Sequence, residues 1–129
     1  MRRRRERRRK MKRNGWVKEF PGVITVCDRE GIMVEMNDKA VRNFEKMGGS
    51  ALLGSNILDC HPEPARTKLE ELMQERRVNI YTVEKDGVRK LICQAPWMED
   101  GEYLGYVEVV VELPEPLPHF VRQQRQPDS

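Results

Sequence analysis

The chain has 129 residues, 35% of them charged and only 6% aromatic, with three cysteines and two histidines. That length favours one domain with a thin core. No apolar run approaches the ~18 residues of a membrane span, no apolar h-region follows the basic start, and three cysteines make no disulfide framework. The net charge of +3 is uneven: residues 1–13 hold ten Lys/Arg against one Glu, a balance of +9, so the rest of the chain carries −6. Free thiols without a secretion signal point to a reducing cytoplasm.

Residues 1–15 form a basic tail. "MRRRRERRRKMKR" cannot bury apolar surface and is expected to be disordered when free. Two origins stay open. One is an arm for nucleic acid or a membrane surface. The other is a purine-rich leader read in frame, with Met11 the true start. No base-reading motif or aromatic interleaving accompanies the tail, which makes nucleic-acid binding the lesser reading.

"GVITVCD" (22–28) and "IMVEM" (32–36) read as a hairpin joined by "DREG". "NDKAVRNFEKMGG" (37–49) switches to helical spacing, with Asn37 as N-cap and Gly48-Gly49 as the stop. "SALLG" (50–54) predicts one further turn capped by Ser50, and "SNILD" (55–59) a connector that must bury Ile57 and Leu58. "PEPARTKLEELMQERR" (62–77) predicts the long helix, its stripe made of Ala65, Leu69, Leu72, Met73 and Arg76. Three strands close the domain: "NIYTVEK" (79–85), "VRKLICQAPW" (88–97) and "YLGYVEVVVEL" (103–113), punctuated by Asp86-Gly87 and Asp100-Gly101. On the last strand, Gly105, Val107, Val109 and Val111 share one face, and Tyr106, Glu108 and Glu112 the other. Residues 114–129, rich in proline, form a stiff extended tail.

The order β-β-α-α-α-β-β-β predicts an α+β domain, an antiparallel sheet with a helical block on one face. In order and length, residues 16–113 resemble a PAS domain. The resemblance rests on "ITVCDREGIMVEMNDKAVRNF" (24–44), "LLGSNILD" (52–59) and "DGEYLGYVEVVVEL" (100–113). It implies a five-stranded antiparallel sheet whose helices cup a pocket. It also implies a role in sensing small molecules, cofactors, light or redox state, or in dimerisation. "CHPEPAR" and "LPHF" further resemble a bacterial PAS subgroup with a Cys-His-Pro element.

Cys60 and His61 carry three open readings. They form a turn that starts the long helix, with His61 pushed toward extended geometry by Pro62; they ligate haem or another metal; or they make a redox or ligand contact. Some PAS domains hold haem through a histidine of the long helix, so the resemblance makes haem the candidate cofactor. A zinc site is short of close Cys-x-x-Cys spacing. Met36, Phe44, Ile57, Leu58, Tyr81, Cys93 and Trp97 are the residues that serve as core or as pocket wall. Cys27 and Cys93 read first as core thiols. His119 and Phe120, among prolines, are candidate partner contacts. No nucleophile elbow, phosphate loop or His-Glu-x-x-His is present, so the expectation is a non-enzymatic module. It is expected to bind a small ligand or cofactor and report through a signalling partner or its own dimer. The alternatives are a filled interaction domain and a nucleic-acid-associated protein using the Arg tail.

Overall fold

The computed structural model describes residues 15–124. The expected tail 1–15 and the start at Met11 lie, but for Gly15, outside the described residues, as do 125–129. A short helix α1 (Gly15–Lys18) precedes β1 (Val23–Asp28) and β2 (Met33–Met36). Helix α2 (Asp38–Asn43) follows, then three 3-10 turns, Glu45–Met47, Gly49–Leu52 and Ile57–Cys60. Helix α3 (Ala65–Glu75) leads into β3 (Asn79–Lys85), β4 (Val88–Glu99) and β5 (Glu102–Glu112). All pairings are antiparallel, and the sheet order is β2-β1-β5-β4-β3.

Local chemistry explains the hairpins. Asp28 accepts the Glu30 and Ile32 N–H groups on Oδ1 at 2.9 and 3.0 Å, closing the β1–β2 turn. Asp86-Gly87 and Asp100-Gly101 all have positive φ, as two-residue hairpin loops require. Pro96 sits within β4, yet costs no ladder bond toward β3, because β3 stops pairing at Asn79 opposite Gln94.

Pairing register sorts the side chains into two faces. On the inner face, Cys27 and Tyr106 stand opposite each other and join Leu69, Leu72 and Met73 of α3 in one buried cluster. Leu72 is 1% exposed, and burial of such a side chain contributes about 1.5–3 kcal/mol. Two tyrosine hydroxyls fasten the end of α3 to β5: Tyr103 donates to Met73 O at 2.9 Å, and Tyr106 to Arg77 O at 2.6 Å. On the outer face, Val17 of α1 packs with Ile24 and Val26, against Phe20, Trp97, Val107 and Val109.

Three expectations are corrected. The long helix begins at Ala65, not Pro62, since prolines 62 and 64 disfavour helical geometry in the residues before them; His61 is extended. Arg76 leaves the apolar stripe: it ends α3 in the left-handed conformation and lays its guanidinium 4.5 Å from the Tyr103 ring centre. Ser50 caps nothing, and the segment after α2 winds as 3-10 turns rather than as α-helix.

Candidate functional site

The helical block does not close fully over the inner face. A cavity of about 250 Å³ remains between the sheet and the 3-10 turns. Its floor is Thr25 and Cys27 of β1, Tyr106 and Glu108 of β5, and Gln94 of β4. Phe44, Met47, Leu52 and Ile57 wall it, and Cys60, His61 and Leu69 complete the rim.

The rim is held to the sheet edge by backbone hydrogen bonds. Met33 N–H donates to Ser55 O at 2.9 Å, Gly54 N–H to Met33 O at 2.8 Å, and Ile57 N–H to Gly31 O at 2.8 Å. Asn56 caps the last 3-10 turn by accepting the Leu58 N–H at 2.9 Å. His61 ends that turn. Its Nδ1 lies 2.6 Å from Ile57 O, and a carbonyl can only accept, so Nδ1 donates in this contact.

Four polar residues cross the inner face of the sheet at one level: Thr25, Glu108, Gln94 and Asn79, each opposite the next on neighbouring strands. Asn79 Nδ2 donates to Gln94 Oε1 at 2.9 Å, and Gln94 Nε2 donates to Glu108 Oε2 at 2.8 Å. Gln94 is 8% exposed and is satisfied by this chain, as a buried amide must be. An adjoining groove of about 280 Å³ shares His61, Leu69, Gln94 and Glu108 with the cavity and runs on past Tyr81 and Lys68.

Phe44, Ile57, Cys60 and His61 line the cavity, and Tyr81 lines the adjoining groove. Leu58 packs beneath it against the buried cluster. Met36 stands opposite Thr25 near the sheet edge without reaching the lining. Cys93 and Trp97 are corrected to the outer face: Cys93 pairs with Ile80 and Val109, and Trp97 packs against the outer cluster. His119 and Phe120 lie in the irregular segment after β5, with Phe120 77% exposed. Sequence reasoning missed Gln94 and Glu108 as floor residues. Their signal was a polar residue interrupting an apolar strand, in "LICQAPW" and "YVEVVVE".

Burial pushes the Cys27 thiol up from 9.0 to about 11, reinforced by the nearby Asp28 and Glu108 carboxylates and opposed by a hydrogen bond from the Tyr106 backbone. Burial likewise pushes the Tyr106 phenol up from 10.0 to about 12. The unfolded chain therefore releases these protons first. Between about pH 9 and 12 the native state holds more protons than the unfolded one, and stability falls as pH rises through that window. Below pH 9 these two groups contribute no slope. Urea denaturation at pH 8, 9, 10 and 11 should show the midpoint dropping from pH 9 upward, and Cys27→Ala should delay the drop toward pH 10.

No family model matches the chain, and no curated protein matches it. Solved structures do. The PAS domain of BvgS from Bordetella pertussis is 21% identical with a TM-score of 0.58, the match covering 76% of this chain and 81% of that one. The PAS domain of an HTR-like protein from Haloarcula marismortui is 15% identical, TM-score 0.57, covering 88% and 100%. The Aer2 receptor from Vibrio cholerae, described as a dual PAS-heme oxygen sensor, is 16% identical, TM-score 0.52, covering 72% and 95%. The chain has the PAS fold.

The cavity taken alone is too small for haem. At about 250 Å³ it falls below the ~300–1,000 Å³ of drug-sized ligand sites, and a porphyrin is larger than such ligands. Among the described residues, no three His, Cys, Asp or Glu side chains come together to hold a metal ion. No helix among them is long and apolar enough to cross a membrane.

Proposed function

We propose that the chain is a PAS-type sensory module that takes a small molecule into the inner-face cavity and reports to a partner protein or a second copy of itself. The observation that carries this reading is the cavity of about 250 Å³, which is apolar on the side of Phe44, Met47 and Leu52 and polar at Gln94 and Glu108. Ligand sites combine these features: an apolar wall with a few placed polar groups. Cys60 and His61 belong to its rim, so a turn and a ligand contact coincide in the same residues.

The route outward runs through two connections. A ligand touching Ile57 presses on a segment hydrogen-bonded to β2 and the β1–β2 turn. A ligand touching Glu108 presses on β5, whose neighbouring Val107 and Val109 face outward. The outer face, or the 114–120 tail, is the surface a partner reads.

The test uses 2-phenylethanol as a neutral probe followed by two-dimensional NMR. Shift changes should be confined to residues of the cavity and its rim. Leu52→Trp, which fills the cavity from its wall, should abolish them while the spectrum stays folded. Shifts scattered over the surface, or insensitive to Leu52→Trp, sink the sensory reading. They favour a filled interaction domain instead, for which the partly covered outer face, with Ile80 59% exposed, is the contact surface.

A further inference from the structure

We infer that the cavity selects a small organic amine: an ammonium group paired with Glu108, on an apolar body that fills the space toward Phe44 and Met47. This rests on the sensory reading above and adds the chemical class of the ligand.

The polar ladder has a direction. Asn79 donates to Gln94, and Gln94 donates to Glu108. The Gln94 amide is engaged at both ends, so its orientation is set and its donor points at the carboxylate. The ladder thus delivers one hydrogen bond to Glu108 Oε2. Among the described residues, Oε1 accepts none, and no Lys, Arg or His nitrogen lies within ion-pair distance of Glu108. His61 and Lys68 line the adjoining groove, where Lys68 is exposed.

A ligand seated against Phe44 and Met47 strips water from Glu108. A carboxylate that loses water must gain a donor or a charge, or the site loses affinity. A neutral apolar ligand leaves Oε1 bare, and an anion adds repulsion. An ammonium group supplies both a donor and the opposite charge, forming a charge-assisted hydrogen bond. Size is bounded as well. A volume of about 250 Å³ lies below the ~300–1,000 Å³ of drug-sized ligand sites, so the ligand is smaller than those. The methionines Met33 and Met47, which line the cavity, adapt to either an alkyl or an aryl body.

The experiment compares three probes of matched size on the full chain: 2-phenylethylamine, 2-phenylethanol and phenylacetate, titrated at pH 7 by calorimetry with NMR to locate the site. The amine should bind at least about tenfold tighter than the alcohol, the range expected of a charged hydrogen bond, and phenylacetate should bind more weakly than either. Glu108→Gln keeps the side chain's size and should erase the amine's advantage over the alcohol. Equal affinity for amine and alcohol in the native chain overturns the inference while leaving the sensory reading intact. So does an amine preference that survives in folded Glu108→Gln protein. If no probe binds in the cavity, both fall. The amine-to-alcohol ratio in the native chain decides even if the variant fails to fold.

Discussion

Gly105→Ala is expected to cost more than about 4 kcal/mol, because the change has no soft response. A Cβ at position 105 would sit 1.9 Å from the Cys27 carbonyl oxygen and 2.9 Å from Asp28 Cα. Both are backbone atoms of the paired strand, so no rotamer change makes room. Relief requires β1 and β5 to part where Cys27 stands opposite Tyr106 and Asp28 opposite Gly105. That would open the floor of the cavity and the buried cluster at once. Domains of this size have about 5–15 kcal/mol in total, so the loss takes much of what there is. Gly101→Ala is the control: its φ of +79 makes a side chain strained, but nothing lies within 4 Å, and about 1–2 kcal/mol is expected. Far-UV circular dichroism and urea denaturation separate the two. A Gly105→Ala protein within about 1 kcal/mol of the native chain, the ordinary cost of a point change, would refute the close pairing of β1 with β5.

The sequence carries the strands clearly because their signals are local. Asp-Gly pairs between alternating segments fix both hairpins after α3, and the Asp28 turn fixes the first. It carries the middle of the chain less well. Prolines 62 and 64 suit a first helical turn, but each also restrains the residue before it, and the second effect wins. The turns of 45–60 are too short for helical periodicity to identify, and their shape comes from caps such as Asn56 and from pairing to β2.

The site is harder still to read. Alternation says that Tyr106 and Glu108 share a face, and the structure agrees, but alternation is silent on which face the helices cover. Valines on one side of β5 invite the reading that the other side meets solvent. Yet α3 and the 3-10 turns lie over Tyr106 and Glu108, while the valines pack against α1 and Trp97. The same ambiguity misplaces Cys93 and Trp97. Phe44 and Ile57 need no such choice, since each stands at the end of an element that faces the sheet.

Asn37→Ala is expected to cost about 3–5 kcal/mol, more than an N-cap alone. The cap accounts for about 0.5–2 kcal/mol: Asn37 Oδ1 accepts the Ala40 N–H at 3.0 Å. The same oxygen accepts the Ile24 N–H at 3.0 Å, and Nδ2 donates to Gly22 O at 2.7 Å. The side chain is 1% exposed, so truncation strands buried backbone groups that water reaches poorly, at about 1–3 kcal/mol for each unmet partner. Asn37→Asp keeps the acceptor toward both N–H groups, but it loses the donations and sets a buried carboxylate oxygen against the Gly22 carbonyl, so it is expected to recover only part of what Ala loses. Urea denaturation of the three proteins gives the order native, Asp, Ala. Equal losses for Asp and Ala would mean that the donor side of Asn37 dominates. A second readout ties this residue to the cavity. Asn37 anchors the start of α2 to β1, and α2 ends beside Phe44 on the cavity wall. Probe affinity in folded Asn37→Asp protein should therefore fall as well, although Asn37 does not line the cavity.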